Sequence, residues 1–240
     1  HSVKELFENT PIRPPKYINS NYYHLTFPSQ LNGRCISMPI NGIDCVVDLV
    51  SLLEAKRFGV QYQPIVKLTD GEIFAYEALA RFYTDAGNSV GPDKIYAMLH
   101  DSPVSLFQVE LLQKKIQLEN APIAKPLFVN LDQDSYSSCG VTGEQNPFAQ
   151  LFAQYTKGEL IVELIENSEI NDAIMSLKMI EDLSSAGIKT AIDDVFNPQC
   201  MISTSVIQLV DFLKLDKDVV QKKQDSQFLV LVSALIDYAH

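Results

Sequence analysis

Positive charge is scarce in this sequence: 19 Lys and Arg residues stand against 30 Asp and Glu, for a formal net charge of −11 over 240 residues. Proteins grip polymeric nucleic acid largely through Lys and Arg that displace phosphate counterions, so this balance argues against such a partner. A small phosphorylated ligand is still compatible with it, because a bound divalent metal reverses the local field.

Cysteine and long apolar runs are also scarce. The four cysteines are Cys35, Cys45, Cys139 and Cys200, and no two of them form a Cys-x-x-Cys pair. This spacing disfavours a disulfide scaffold or a zinc site and favours free thiols in a reducing compartment. No run is long enough to span a bilayer, and the N-terminus lacks a signal-peptide pattern, so we expect a cytoplasmic chain. Because the sequence begins at His1 and ends at His240 inside a helical pattern, we also expect a longer parent protein.

The length allows one barrel-sized domain or two small ones, and the composition, 46% hydrophobic and 20% charged, is that of a soluble globular protein. We interpret residues 1–44 as an N-terminal extension of unknown role, with a short strand around Tyr22, Tyr23, Leu25 and Phe27. Residues 45–240 form the main domain. Apolar spacing predicts a helix over 43–56.

Beyond residue 60 the sequence alternates between apolar runs and helical patterns. The runs at 60–68 and 72–82 are separated by Thr69-Asp70-Gly71, and so short a link implies an antiparallel hairpin. Helices are predicted at 92–100, 105–119, 147–155, 170–185 and from about 226, and strands at 126–131, 159–165, 189–194 and 210–215. This alternation predicts an α/β fold with a parallel sheet, a TIM-like (β/α) barrel with an antiparallel first strand. Six strands are present where a closed barrel needs eight, so we expect it to be incomplete at the C-terminus.

The predicted strands end in a repeated way. Five apolar runs finish in oxygen donors or a lone lysine, and these residues are Glu77, Asn130, Glu163, the pair Asp193-Asp194, and Lys214. In a parallel barrel the strand C-termini converge on one face, which carries the chemistry. We therefore expect these side chains to surround one point.

Carboxylate and amide oxygens without His or Cys are hard donors that suit Mg²⁺, Mn²⁺ or Ca²⁺. Glu77, Asn130, Glu163 and Asp193 could hold one such ion, and Asp194 could serve a second. Two neighbouring ions can clamp a phosphodiester, activate water and stabilise the leaving oxygen. Lys214 would position the attacking water or offset charge on the phosphate.

Taken singly, these residues have ordinary structural explanations. Glu163 or Asp193 could cap a following helix, Asn130 could belong to a turn, and Lys214 could be a solvated charge. The adjacent pair Asp193-Asp194 on an apolar strand is harder to explain, because inward aspartates are costly without a partner or metal. The occurrence of all these residues together at strand ends favours the functional interpretation.

Five motifs, the first made of two segments, resemble the bacterial EAL domain family in unbroken order over about residues 45–240. Tyr62-Gln63-Pro64-Ile65-Val66 and Glu77-Ala78-Leu79-Ala80-Arg81 look like its opening, with the signature tripeptide intact. Val129-Asn130-Leu131 is similar to its V-N-hydrophobic strand, and Glu163-Leu164-Ile165-Glu166 to its E-I-T-E segment. Asp193-Asp194 corresponds to its paired aspartates and Lys214-Leu215-Asp216 to its K-I-D motif. One tripeptide alone would mean nothing, whereas five motifs in register are specific.

The resemblance implies a phosphodiesterase that hydrolyses cyclic di-GMP to linear pGpG with Mg²⁺ or Mn²⁺. It places Glu77, Asn130, Glu163 and Asp193 at a first metal and Asp194 at a second, with Lys214 orienting water. Gln63, Leu79 and Arg81 would contact the dinucleotide, the arginine at a phosphate. Without the resemblance, we would interpret Arg81 as part of a surface ion pair.

Two departures from the family pattern bear on activity. The family's glycine-rich F-G-T-G-Y-S-S loop, which shapes the second metal site and the dimer contact, is replaced by Val195-Phe196-Asn197-Pro198-Gln199-Cys200, which has no glycine. Asn and Pro cannot simply copy glycine conformations, so we expect the loop to take another path. The family's A-E-G-V-E strand, with a glutamate needed for hydrolysis, would follow His240.

These observations leave three hypotheses. The favoured one is an EAL-type phosphodiesterase, with a homodimer compatible with the family pattern. The second is an inactive receptor that binds cyclic di-GMP, or a protein partner, and signals by conformational change. The third is a module that binds only protein.

Overall fold

The computed structural model describes residues 36–40, 43–47, 57–84, 86–164, 170–197, 203–217, 219 and 226–239. Strands β1 (Ile36–Ile40) and β2 (Ile43–Val47) form an antiparallel pair. The helix predicted over 43–56 is therefore wrong for 43–47, where β-branched residues suit a strand better than a helix. Its remainder, and the strand predicted around residues 22–27, lie outside the described residues.

The main sheet begins with the predicted hairpin. Strand β3 (Phe58–Val66) pairs antiparallel with β4 (Ile73–Tyr83), and Gln63 lies opposite Glu77. A two-residue strand, β5 (Ser89–Val90), pairs with the far end of β4. Four strands then continue in parallel on the other side of β4: β6 (Leu127–Leu131), β7 (Leu160–Leu164), β8 (Lys189–Val195) and β9 (Phe212–Leu215). The order β3-β4-β6-β7-β8-β9 confirms the six predicted strands and the antiparallel start.

Helices connect the parallel strands. The five predicted ones are present as α1 (Pro92–Leu99), α2 (Pro103–Glu119), α4 (Pro147–Ala153), α5 (Ile170–Ser185) and α7 (Ser226–Ala239). Two short helices were not predicted, α3 (Gln133–Ser138) and α6 (Thr204–Ile207). Helix α5 ends at Ser185 and is followed by Gly187, whose φ of +74° suits the left-handed cap that the sequence predicts. None of the helices in the described ranges is long and apolar enough to cross a bilayer.

The two faces of the sheet have different roles. Outward residues such as Val129, Val162 and Ile192 pack under the helices in the largest apolar cluster. The inward face carries a second cluster of four buried residues, one from each of four neighbouring strands: Ala75, Phe128, Ile161 and Ala191. Because strand side chains alternate between faces, the residue two places further along each strand also points inward. In the described part of the chain the sheet stays open, with β3 and β9 as its edges.

Candidate metal centre and ligand-binding face

One layer above the inward apolar cluster lies a ring of polar side chains. Each follows a residue of the inward face by two positions: Glu77 after Ala75, Asn130 after Phe128, Glu163 after Ile161, Asp193 after Ala191 and Lys214 after Phe212. The apolar layer closes the bottom of the half-barrel, and the polar layer lies at the carboxyl ends of the parallel strands. The predicted convergence is therefore confirmed for these five residues.

Lys214 connects the acidic members of this layer. Its Nζ lies 2.5 Å from Glu163 Oε1, 2.9 Å from Asp193 Oδ2 and 3.4 Å from Glu77 Oε2. Burial alone would lower the pKa of Lys214, but the carboxylates of Glu163, Glu77 and Asp193 together raise it above its ordinary value. Asn130 Nδ2 donates to Glu77 Oε1 at 3.2 Å. Three carboxylates thus share a single cation, and the Asn130 amide binds one of them.

Glu163 is the most enclosed member of the layer, with a side chain that is 0% exposed. Burial, and then the charge of Glu77, raise its pKa to about 8 although Lys214 acts in the opposite direction. Among the described residues nothing donates a hydrogen bond to its buried Oε2. This oxygen is free to accept a further electropositive partner.

The two aspartates of β8 lie at an irregularity in the sheet. Ile192 pairs with Leu213 and Val195 with Leu215, so Asp193 and Asp194 together oppose Lys214. Such a bulge turns one side chain away from the expected face. Asp193 remains in the polar layer, whereas Asp194 is exposed, outside the group of three carboxylates that approach one another.

Asp194 faces a different carboxylate. Partial burial, then the charges of Asp193 and Asp216, raise the pKa of Asp194 above its ordinary value. Asp216 in turn accepts a hydrogen bond from Asn197 Nδ2 at 3.3 Å. The structure thus places the two predicted metal-ligating aspartates in separate surroundings.

The glycine-free loop after Asp194 begins with unusual backbone geometry. Asp194 has φ of +56° and Phe196 has φ of +72°, a region that non-glycine residues seldom adopt. Phe196 packs edge-on against Phe228 of α7, with ring centroids 5.5 Å apart. Residues 198–202 lie outside the described residues.

The remaining predicted residues lie on the β3–β4 hairpin, on the same inward face. Gln63 is exposed opposite Glu77, and Leu79 and Arg81 follow Glu77 at intervals of two. Arg81 makes no surface ion pair among the described residues and instead donates to the side chain of Gln61. Gln61 was not predicted from the sequence, although its period-two spacing from Gln63 marks it as a neighbour on that face.

Strand β4 separates from β6 where this face opens. Their pairing ends at Ala78 opposite Val129, while β6 continues to Leu131 along β7. The carbonyl of Ala78 accepts from Gln117 Nε2 of α2 at 2.9 Å. At the edge of the site, the buried Gln117 amide thus supplies the hydrogen-bond donor that a neighbouring strand would otherwise provide.

Comparison with known proteins now identifies the fold family, because the EAL domain family model matches residues 47–240. The chain belongs to the EAL domain family. EAL domains are TIM-like barrels, and the open parallel sheet with its outer helices is part of such a barrel.

One relative of known description is the bifunctional diguanylate cyclase/cyclic di-GMP phosphodiesterase MucR of Pseudomonas aeruginosa. It is 24% identical over 218 residues, which cover 85% of this chain and 32% of MucR. The chain thus spans about a third of that relative's length.

Two solved EAL structures have the same fold. The FimX EAL domain of Pseudomonas aeruginosa, bound to cyclic di-GMP, is 20% identical with a TM-score of 0.60 and covers 80% of this chain and 79% of its own. Klebsiella pneumoniae BlrP1, in a manganese and cyclic di-GMP complex, is 17% identical with a TM-score of 0.56 over 85% of this chain and 48% of its own.

The polar layer of this EAL domain fits a divalent cation. Glu77, Glu163 and Asp193 each offer an oxygen within 4.8 Å of the others. Their donors are hard oxygens, and the unpartnered Glu163 Oε2 is buried among them. A divalent ion would satisfy that oxygen and offset charge that Lys214 alone does not balance.

A second group of possible ligands in this EAL domain has a simpler explanation. His100 Nε2 lies 3.1 Å from Asp132 Oδ2, and His100 Nδ1 lies 3.2 Å from Asp134 Oδ2. Each ring nitrogen of His100 therefore lies within hydrogen-bonding distance of a carboxylate. Asp132 also caps α3 by accepting from Ser135 N. The group ties α1 to α3.

Proposed function

We propose that this domain is an EAL-type phosphodiesterase that hydrolyses cyclic di-GMP to linear pGpG with Mg²⁺ or Mn²⁺. The observation that carries the proposal is the polar layer, in which the Lys214 ammonium lies within 3.4 Å of three carboxylates at the strand ends. Membership of a family that includes cyclic di-GMP phosphodiesterases supports it.

In this proposal Glu77, Asn130, Glu163 and Asp193 hold a first ion, and Asp194 contributes to a second. When bound, the ions would polarise the phosphodiester and activate water. Its acidic neighbours raise the pKa of Lys214 above its ordinary value. In this proposal the Lys214 ammonium donates a hydrogen bond to the attacking water or to phosphate and orients it.

The substrate would lie along the inward face of the hairpin. Gln63 and Leu79 adjoin Glu77 on that face, and Arg81 supplies a guanidinium that suits a phosphate. We propose that residues 45–240 contain this catalytic barrel and that 1–44 belong to an extension, with the β1–β2 pair spanning the boundary between them.

A chromatographic assay for pGpG tests the proposal. Purified full-length protein with Mn²⁺, which would include the strand expected after His240, is expected to form pGpG, and Glu77→Ala to abolish formation while the fold is retained. Glu159→Gln is the matched control: Glu159 precedes β7 at the opposite end from Glu163 and pairs with Lys189, so activity should be unchanged. Folded full-length protein that forms no pGpG contradicts the proposal.

A second candidate, a receptor that binds cyclic di-GMP without hydrolysing it, is favoured by one observation. Asp194 has left-handed backbone geometry and its carboxyl faces Asp216 rather than the carboxylate group. Cyclic di-GMP binding by calorimetry with no pGpG formed would support the receptor, whereas metal-dependent product refutes it.

A further inference from the structure

The guanidinium of Arg81 is held by a residue outside every recognised motif. Arg81 Nε donates to Gln61 Oε1 at 3.0 Å, and Arg81 Nη2 donates to the same oxygen at 2.5 Å. Arg81 Nη1 donates to the carbonyl of Ala80 at 2.7 Å. All three nitrogens of the side chain are therefore anchored to the hairpin.

The anchor depends on the antiparallel pairing. Gln61 lies opposite Leu79, and Gly59 lies opposite Arg81. Gln61 and Arg81 are thus diagonal neighbours on one face, a separation that long side chains can bridge. Both side chains are partly buried there, so the contact is shielded from water on the sheet side.

The contact with Gln61 leaves Arg81 with N–H donors that can bind an anion. A guanidinium has five N–H donors, and three are occupied by Gln61 and Ala80, so one remains on each terminal nitrogen. Two such donors in a fixed plane can bind phosphate oxygens in the bidentate manner. The acceptor is a neutral amide, so the positive charge of Arg81 is not cancelled by a neighbouring carboxylate.

We propose that Gln61 is a positioning residue that fixes the Arg81 guanidinium for a phosphate group of the cyclic dinucleotide. This inference rests on the proposed function, in which Arg81 binds that phosphate. Gln61 lowers the entropy that Arg81 loses when ligand binds, because the side chain is already ordered.

A double-mutant cycle measures whether Gln61 acts through Arg81. Calorimetric binding of cyclic di-GMP, in Ca²⁺ and in EDTA, is compared for wild type, Gln61→Leu, Arg81→Ala and the double variant. Gln61→Leu is expected to weaken binding roughly three- to tenfold in the wild-type background and less than twofold in the Arg81→Ala background. Equal weakening in both backgrounds, or none in the first, overturns the inference.

A second readout is independent of ligand. Arg81 is one of only four arginines, so its Nε–H signal can be assigned in a nitrogen-15 spectrum by its loss in Arg81→Ala. The Nε–H order parameter should be high in wild type, fall in Gln61→Leu and stay high in Gln61→Glu, which keeps the acceptor. Gln61→Glu should nevertheless weaken dinucleotide binding, because its carboxylate competes with phosphate for the guanidinium. An Nε–H that is equally ordered in Gln61→Leu overturns the inference.

Gln150→Leu is the matched control, since Gln150 is exposed on α4 and makes no described side-chain contact with Arg81; it should change neither readout. Wild-type protein that does not bind cyclic di-GMP refutes the proposed function and the phosphate role together. The Nε–H measurement still decides in that case whether Gln61 holds Arg81. Thermal unfolding of each variant separates loss of fold from loss of position.

Discussion

At the scale of single residues, Glu163 shows how the polar layer lowers the stability of the fold when no metal is bound. Its pKa rises from an ordinary 4.5 to about 8, chiefly through burial. A carboxyl whose pKa is raised in the folded state favours folding when protonated and loses that advantage as pH rises through the folded pKa. Metal-free wild-type protein should therefore lose about 3 kcal/mol of unfolding free energy between pH 5.5 and 8.5.

Glu163→Gln tests this pH dependence. Urea unfolding in EDTA should give a clearly shallower fall in stability over that pH range for the variant than for wild type. The raised pKa values of Asp132 and Asp194 act in the same direction and remain in both proteins. A variant with the wild-type slope would show that Glu163 is not the titrating group.

Lys214 is the internal cation of the same layer. Replacing it by Met leaves Glu77, Glu163 and Asp193 without their shared positive partner, so we expect metal-free stability at pH 8 to fall by about 3 kcal/mol. Saturating Mn²⁺ should recover most of that loss while pGpG formation stays absent. Circular dichroism in urea with and without Mn²⁺ measures the loss of stability and its recovery. The chromatographic assay measures pGpG formation.

Lys189→Met provides the comparison for Lys214. Lys189 lies at the other end of β8 and pairs with Glu159 at 2.8 Å on the surface, with both side chains over 40% exposed. Exposed pairs contribute little, so its loss should cost less than about 1 kcal/mol, with or without Mn²⁺. Equal losses for the two lysines would argue against a buried ionic layer.

At the scale of elements, the separation of β4 from β6 creates a carbonyl that needs a donor. Gln117, 1% exposed on α2, supplies it at Ala78 O. Gln117→Leu keeps a similar volume but removes the donor, so we expect a loss of about 2 kcal/mol in urea unfolding. The exposed Gln150→Leu should change stability by less than about 0.5 kcal/mol. A neutral Gln117→Leu would mean that water replaces the amide.

The elements that the sequence predicts well are those whose pattern follows from burial. Strands such as Leu160–Leu164 are apolar at every position except Glu163 because both faces are covered, and α5 has a clear helical period and a glycine stop. Period two also predicts the polar layer, since Asn130, Glu163 and Asp193 are inward residues of their strands. The prediction fails where local pattern is ambiguous: β2 has a spacing that also suits a helix, and α3 has mostly polar residues around an Asp132 cap.

Other features depend on long-range geometry that a sequence does not contain. The bulge that separates Asp193 from Asp194 is defined by pairing with β9, across an intervening helix. The bond between Gln61 and Arg81 requires the hairpin register. Neither feature can be inferred before the strands are paired. For this reason the sequence predicts Asp194 around the same point as the other carboxylates.

At the scale of the whole molecule, the half-barrel has an apolar layer and an ionisable layer stacked along the same strands. The lower layer of Ala75, Phe128, Ile161 and Ala191 is buried on all sides. The backbone pairing of these strands sets their spacing, and with it the separation of the carboxylates one step above this layer. The proposed metal-ligating oxygens come from β4, β6, β7 and β8, so they converge only when these four strands are paired in the folded sheet.

Metal binding should consequently stabilise the entire domain. An ion that binds only the folded state raises the unfolding free energy by about 2.7 kcal/mol at a hundred times its dissociation constant. We expect the thermal midpoint to rise with Mn²⁺ concentration for wild type and for Glu159→Gln, whose carboxylate lies at the opposite end of β7 from Glu163. Asp193→Asn should show little rise, because it removes one of the three converging carboxylates. An equal rise for Asp193→Asn would place the ion elsewhere.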